Sequence, residues 1–82
     1  MRHQLARTIE QYAELNQLAI FIVKLAIVIE ECDEAQYWLE LMKDQALIEE
    51  DRFMNLHGEA NDLTAIFVAS RKTAVANGPK RQ

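Results

Sequence analysis

Carboxylates are the residues of this sequence best suited to chemistry, because several of them lie close together in a segment with helical spacing. Glu30, Glu31, Asp33 and Glu34 form this cluster, and Glu40 follows further along. Inward-facing carboxylates of a helical bundle hold two metal ions when Glu-x-x-His pairs accompany them, and no Glu-x-x-His occurs in the chain. We therefore interpret the cluster as a solvated acidic face or as a charged strip at a subunit interface.

Histidine and cysteine are the other residues that can ligate a metal or act as an acid, base or nucleophile. The chain has His3, His57 and Cys32, which do not have the spacing of a zinc site. Cys32 lies on an apolar stripe beside acidic residues, and such surroundings disfavour the reactive thiolate. We expect His57 to be a partly buried polar residue. The sequence predicts no enzymatic activity, no metal and no cofactor.

The chain that must position these residues contains no strong backbone breaker in its first 57 residues, since both glycines and the only proline, Pro79, come later. Apolar residues recur at steps of three and four, the spacing of one helix face. The pattern predicts a single helical domain over residues 1–76, with helices over about 4–43 and 49–75. Gly78 is expected to form a left-handed C-cap of the second helix, and residues 77–82 to form a flexible tail.

The second predicted helix has its own pattern of charge and hydrophobicity. It begins with acidic residues and carries Arg71 and Lys72 toward its end, an order that suits the helix dipole. Its apolar stripe keeps the a/d spacing of a helix in a bundle. The members of this stripe are Phe53, Leu56, Ala60, Leu63, Phe67, Ser70 and Ala74.

A short turn between two long helices predicts an antiparallel hairpin. Between Leu18 and Ile29 the first helix is apolar almost all round, so it must be covered on more than one side, and a chain this short cannot cover it alone. We expect an all-α up-and-down bundle that is completed by oligomerisation. The residues expected in the bundle core or oligomer interface are Leu18, Phe21, Ile22, Leu25, Val28, Ile29, Tyr37, Trp38, Leu63 and Phe67.

Two aromatic residues and one lysine of the first helix have specific expected positions. Tyr37 and Trp38 are adjacent and so point about 100° apart, and we expect one ring to fill the hairpin core while the other faces a neighbouring subunit. Lys24 is the only charged residue between Leu18 and Ile29. Its ammonium group is expected to reach the rim of the apolar surface or a carboxylate across an interface.

Charge and hydropathy limit what the chain can bind. Thirteen acidic and nine basic residues give a formal net charge of −4, which opposes binding to a phosphate backbone. The longest apolar run has twelve residues, whereas a membrane-spanning helix needs about 20. With one cysteine and no signal-peptide pattern, the sequence predicts a cytoplasmic protein outside the membrane. A local basic patch is expected only from Arg71, Lys72, Lys80 and Arg81.

Two stretches, residues 21–41 with the core Tyr37-Trp38-Leu39 and residues 59–74 with the run IFVAS, resemble the bacterial four helix bundle protein family, also called the 23S rRNA intervening-sequence protein family. The resemblance spans about residues 15–75. It implies a cytosolic up-and-down bundle that assembles as a homopentamer and has no established activity. It also favours an intersubunit salt bridge for Lys24.

The chain differs from this family's pattern at two places. Family members carry an additional N-terminal helix ahead of the segment that starts near Gln4, and this helix is expected to be absent here. Relatives tend to have glycine in the turn where this chain has Ala46, a residue that is unfavourable if the backbone there is left-handed.

Three functions follow from these observations. The preferred one is a non-catalytic helical bundle protein that forms a homo-oligomer and serves as a scaffold or adaptor. The second is an accessory protein of a diversity-generating retroelement that binds RNA or a reverse transcriptase, because the family includes such basic pentameric bundles, although this chain is acidic. The third is a bundle module completed by a helix of another protein.

Overall fold

The computed structural model describes residues 2–78, which form two helices and no strand. Helix α1 spans Arg2–Asp44 and helix α2 spans Glu50–Ala76. The predicted all-helical class is therefore confirmed for the described part of the chain. Helix α1 begins two residues earlier and ends one residue later than expected, and α2 begins and ends one residue later. Both helices continue past their expected C-terminal ends because neither Lys43 nor Val75 is a helix-breaking residue.

The two helices run antiparallel. Near the turn, Gln36 of α1 donates a hydrogen bond to Asn61 of α2. At the other end of α2, Leu18 lies beside Gly78. The hairpin measures 68 × 19 × 18 Å and has a radius of gyration of 19.4 Å, whereas a compact domain of this length has about 12 Å. The molecule is therefore a rod with one helix–helix seam.

Within this seam, α1 presents one residue at alternating steps of four and three, the heptad spacing of a coiled coil. The seam residues are more buried than their neighbours, yet among the described residues only Leu25, Phe53 and Ala74 are buried, with 6%, 8% and 6% of their surface exposed. The α1 seam consists of Leu18, Ile22, Leu25, Ile29, Cys32, Gln36 and Leu39. The α2 seam consists of Phe53, His57, Ala60, Thr64, Phe67 and Ala74.

The apolar stripe predicted on α2 faces α1 only in part. Phe53, Phe67 and Ala74 lie in the seam, but Leu63 keeps 47% of its surface exposed while its neighbour Thr64 is half-buried. Thr64 is accommodated there because its hydroxyl donates to the carbonyl of Ala60 over 2.8 Å. Ala60 also lies in the seam, whereas Leu56, Leu63 and Ser70 lie beside it, with Leu63 exposed and the other two half-buried.

The turn closes α1 with a Schellman motif. The amide of Leu47 donates to the carbonyl of Met42, and the amide of Ala46 donates to the carbonyl of Lys43. This motif requires a left-handed residue at its centre, and Ala46 has a φ of 56°. The expected cost of alanine at this position therefore applies, because its Cβ crowds the following carbonyl oxygen.

Replacing Ala46 with glycine is expected to raise the free energy of unfolding by about 1 kcal/mol, since glycine reaches this conformation without the steric cost. Thermal unfolding followed by circular dichroism measures the change. Gln45→Gly is the control, because Gln45 has no positive φ and the substitution there should be neutral or destabilising. An equal gain from both variants would contradict the interpretation.

The C-terminal end of α2 differs from the prediction in two ways. The left-handed cap expected at Gly78 is wrong, because no described glycine has a positive φ. Instead Asn77 ends the helix with φ −84° and ψ −4°, and its amide bonds the carbonyl of Thr73. The last turn contains no basic residue, so Arg71 and Lys72 lie too early for the expected dipole interaction. Residues 79–82 lie outside the described part of the chain.

Candidate assembly interface

The hairpin exposes far more surface than a folded protein of its mass. Its accessible surface is 7212 Å², whereas a compact monomer of 9.5 kDa exposes about 5,000 Å². The excess of about 2,200 Å² reflects an elongated shape that leaves many apolar side chains in contact with water. Functional surfaces are therefore expected among the exposed apolar residues.

One continuous apolar surface, which we call the open face, runs along one side of the hairpin. Residues seven apart share a face of a helix with heptad packing, and one groove is lined by Ala35, Trp38, Met42, Leu56 and Leu63 together. Extending these positions by heptads places further residues on the same side. The open face consists of Phe21, Val28, Ala35 and Met42 on α1 and Leu56 and Leu63 on α2, with Trp38 and Ile66 at its margins.

A second apolar surface lies on the side of α1 that faces away from α2. Ile20, Val23 and Ile27 are all exposed there, and a shallow groove between Ile20 and Val23 is bordered by Ala19 and Lys24. The surface of α1 is thus apolar on its seam, on the open face and on its back. Helix α2 covers only the seam and leaves the open face and the back of α1 exposed.

The N-terminal part of α1 extends past the end of α2. Helix α1 has 43 residues and α2 has 27, so about 24 Å of α1 projects beyond the hairpin at roughly 1.5 Å per residue. Leu5, Ile9 and Tyr12 lie in this overhang and are exposed. No described residue of α2 reaches this segment.

The predicted interface residues divide between these surfaces. Leu18, Ile22, Leu25, Ile29 and Phe67 lie in or along the hairpin seam. In contrast, Phe21, Val28, Trp38 and Leu63 lie on or beside the open face.

The expectation that one of the two adjacent aromatic rings fills the hairpin core is wrong. Tyr37 and Trp38 are 58% and 57% exposed, so neither ring fills the hairpin core. Their rings instead pack edge to face, with centroids 5.4 Å apart. The reason is that Gln36 and Leu39 occupy the seam positions at this level, which places both aromatic residues outside the seam.

The predicted basic patch is only partly described. Arg71 and Lys72 are exposed and line a groove that also contains the carboxylate-bearing Glu30. Lys80 and Arg81 lie outside the described residues. The groove that Arg71 and Lys72 line therefore contains both basic and acidic side chains.

A polar cluster on the side opposite the open face was not anticipated from the sequence. His57 Nε2 lies 3.2 Å from the Glu40 carboxylate, and His57 Nδ1 lies 3.5 Å from the side-chain nitrogen of Asn61. Asn61 in turn accepts from Gln36. His57 also packs against Phe53, with ring centroids 5.1 Å apart. The cluster joins the helices at a fixed register, and His57 is half-buried, as expected.

Replacing His57 with alanine is expected to lower the free energy of unfolding by about 1 kcal/mol, because one bridging hydrogen bond and a ring contact are lost. For a domain of this size the melting temperature should fall by roughly 4 to 8 °C. His3→Ala is the matched control and should leave the melting temperature unchanged. Equal melting temperatures for wild type and His57→Ala would show that the cluster does not stabilise the hairpin.

Among residues 2–78, no three His, Cys, Asp or Glu side chains are grouped so that they could hold a metal ion. By length and composition alone, α1 is apolar enough to cross a membrane, in contrast to the expectation from its twelve-residue run. Core helices of soluble proteins, which are mostly buried, and signal sequences, which lie near the N-terminus, meet the same criterion. The apolar window of α1 is near the N-terminus and 6% of it is buried.

These features define the chain as an all-helical hairpin with an uncovered apolar surface on both helices. Comparison with protein-family models, with curated proteins and with solved structures finds no match.

Proposed function

We propose that this protein is a non-catalytic cytoplasmic scaffold or adaptor whose copies assemble into a homo-oligomer. One observation supports this most strongly: the open face is a continuous apolar surface formed by both helices and left in water by the hairpin. Contiguous apolar surfaces larger than a few hundred Å² mark interaction sites in soluble proteins. Another copy of the hairpin offers a surface of the same length and the same apolar character.

The number of copies is a separate part of this proposal. The resemblance to the four helix bundle family implies five copies, and that stoichiometry remains a prediction. Burial of the open face by a second hairpin would complete a four-helix bundle, so two copies are the smallest assembly that accounts for the exposed surface.

The experiment is the mass of the purified chain in detergent-free buffer, measured by light scattering over a range of protein concentrations, with helicity followed by circular dichroism. A helical species of defined multiple mass supports the proposal, and its mass separates two copies from five. A folded helical monomer at micromolar concentration would refute it. Flotation with phosphatidylcholine vesicles, accompanied by loss of the soluble species, would instead assign α1 to a membrane.

A second candidate function is a bundle module that accepts a helix of another protein. The overhang of α1 favours it, because Leu5, Ile9 and Tyr12 form an exposed apolar strip beyond the reach of the described part of α2. Amphipathic helices recognise such strips through residues spaced by three and four. This role does not require the open face, so the two surfaces can be tested separately.

The double variant Leu5→Ser/Tyr12→Ser is expected to retain the mass of the wild-type oligomer, since neither residue belongs to the open face. Light scattering at matched concentrations checks this. Dissociation of the double variant would show that the overhang, and not the open face, holds the copies together.

An accessory role in RNA or reverse-transcriptase binding has weaker support, because Arg71 and Lys72 share their groove with Glu30. We expect a filter-binding titration with structured RNA to show no salt-sensitive affinity at physiological ionic strength. A steep salt dependence that is lost in Arg71→Ala/Lys72→Ala would establish this role instead.

A further inference from the structure

Lys24 and Glu31 are two opposite charges without a partner on their own helix, and by heptad position they lie between the open face and the back of α1, where Lys24 also borders the groove beside Ile20. They are one heptad apart, in the same column of α1 as Trp38, which lines the open face. Charged residues on a helix pair with residues three or four positions away. For Lys24 these positions hold Ile20, Phe21, Ile27 and Val28, and for Glu31 they hold Ile27, Val28, Glu34 and Ala35.

Neither charge finds a partner on α2. The salt bridge of the described residues joins His57 and Glu40, on the other side of the hairpin. Both Lys24 and Glu31 are exposed. Their countercharges can therefore come only from outside the hairpin, and opposite charges placed symmetrically about a point are the arrangement that a two-fold axis satisfies.

We infer that a second copy of this chain covers the open face through a two-fold axis near Val28, with the two α1 helices antiparallel, so that Lys24 of each copy pairs with Glu31 of the other. In an antiparallel pair, residues at equal distances on either side of the axis lie opposite each other. Lys24 lies four residues before Val28 and Glu31 three residues after it, so an axis beside Val28, toward Ile27, brings the two side chains opposite each other twice per dimer. A parallel arrangement would place Lys24 against Lys24 and Glu31 against Glu31, which is repulsive.

The apolar residues of the open face agree with the same axis. Phe21 and Ala35 are each seven residues from Val28, so the large ring of one copy lies opposite the small side chain of the other. Alternation of large and small residues across an interface allows close packing. Val28 meets its own counterpart at the centre of the contact.

The excess surface of the whole hairpin is larger than the area that a stable contact of this kind buries. Each hairpin exposes about 2,200 Å² more than a compact monomer of its mass, and a specific interface of standard size buries about 800 Å² per partner. A dimer formed through the open face would still leave the back of α1 and the overhang uncovered. These surfaces remain available for the partner helix considered above.

This inference rests on the proposed self-assembly, and charge reversal tests it separately. Lys24→Glu and Glu31→Lys are each expected to raise the dissociation constant of the dimer by roughly tenfold, because each converts two ion pairs into two like-charge contacts. The double variant Lys24→Glu/Glu31→Lys should return to within about threefold of wild type, since the pairs are restored with reversed polarity. The effects should diminish at high salt.

Glu34→Lys is the matched control, because it changes the net charge as Glu31→Lys does but lies on the side of α1 away from α2. It should leave the dissociation constant within about threefold of wild type. All variants are compared by sedimentation at low ionic strength, after circular dichroism has shown equal helicity. A monomeric wild type would refute self-assembly altogether. A stable oligomer in which the double variant is no tighter than the single variants would refute the two-fold contact alone.

A cross-linking measurement gives an independent readout of helix direction. In a Cys32→Ala background, chains with Lys24→Cys are mixed with chains carrying Glu31→Cys and treated with a short bismaleimide. The antiparallel contact predicts cross-links between the two kinds of chain in excess of cross-links within either kind. An excess of Lys24→Cys chains linked to each other, or a mass of five copies, would overturn the inference.

Discussion

Replacing Leu63 with glutamate is expected to dissociate the oligomer, raising its dissociation constant by roughly a hundredfold or more. Leu63 is on the open face of α2 and lies outside the seam, so the substitution places a carboxylate where another copy should bury an apolar side chain. A buried charge without a partner is among the most costly changes in an interface. Glutamate is nearly as good a helix former as leucine, so the hairpin itself is not directly disrupted.

The control for this substitution is Met54→Glu. Met54 is also an exposed apolar residue of α2 and the charge change is identical, but its heptad position puts it on the side of the hairpin away from the open face. Light scattering at matched concentrations should show the mass of the wild-type assembly for Met54→Glu and a reduced mass for Leu63→Glu. If both variants keep the wild-type mass, the open face is not the interface.

The difference between these two residues also shows what the sequence could not provide. Leu63 and Phe67 belong to one apolar stripe with steps of three and four, and that spacing correctly predicts a helix. It does not distinguish the edge covered by α1 from the edge left open. In α1 the ambiguity is greater, since apolar residues surround the helix between Leu18 and Ile29. Hydropathy identifies which residues need cover, but the partner that provides it depends on tertiary geometry.

The polar cluster on the side opposite the open face illustrates the same limit. Glu40 and His57 are 17 positions apart, and their contact depends on the length of the turn and on the left-handed conformation of Ala46. No local pattern specifies such a pairing. By contrast, the turn itself could be located, because the triple acid from Glu49 to Asp51 marks a new helix start. Glu49 precedes α2 without a side-chain cap, so the acidic residues act there by charge alone.

Replacing Leu25 with alanine is expected to have the largest effect on folding. Leu25 is one of three buried residues among those described, and truncation of a buried leucine costs about 2 to 5 kcal/mol. A domain of this size has a total stability of only about 5 to 15 kcal/mol. The melting temperature should therefore fall by roughly 8 to 40 °C, at about 4 to 8 °C for each kcal/mol lost. The exposed Leu47 provides the control, since Leu47→Ala should change the free energy of unfolding by less than about 0.5 kcal/mol.

Leu25→Ala and Leu63→Glu should lose helicity and assembly in a different order, and this difference is the sharpest test of the role assigned to Leu25. Leu25→Ala weakens the seam inside each hairpin and leaves the open face intact, so helicity and assembly should be lost together on heating. Leu63→Glu weakens the contact between copies, so the assembly should dissociate on dilution before helicity falls. Measuring mass and circular dichroism on the same samples separates the two cases. If Leu25→Ala dissociated while its helices remained intact, then Leu25 would belong to the contact between copies, and the seam assigned to the hairpin would be incorrect.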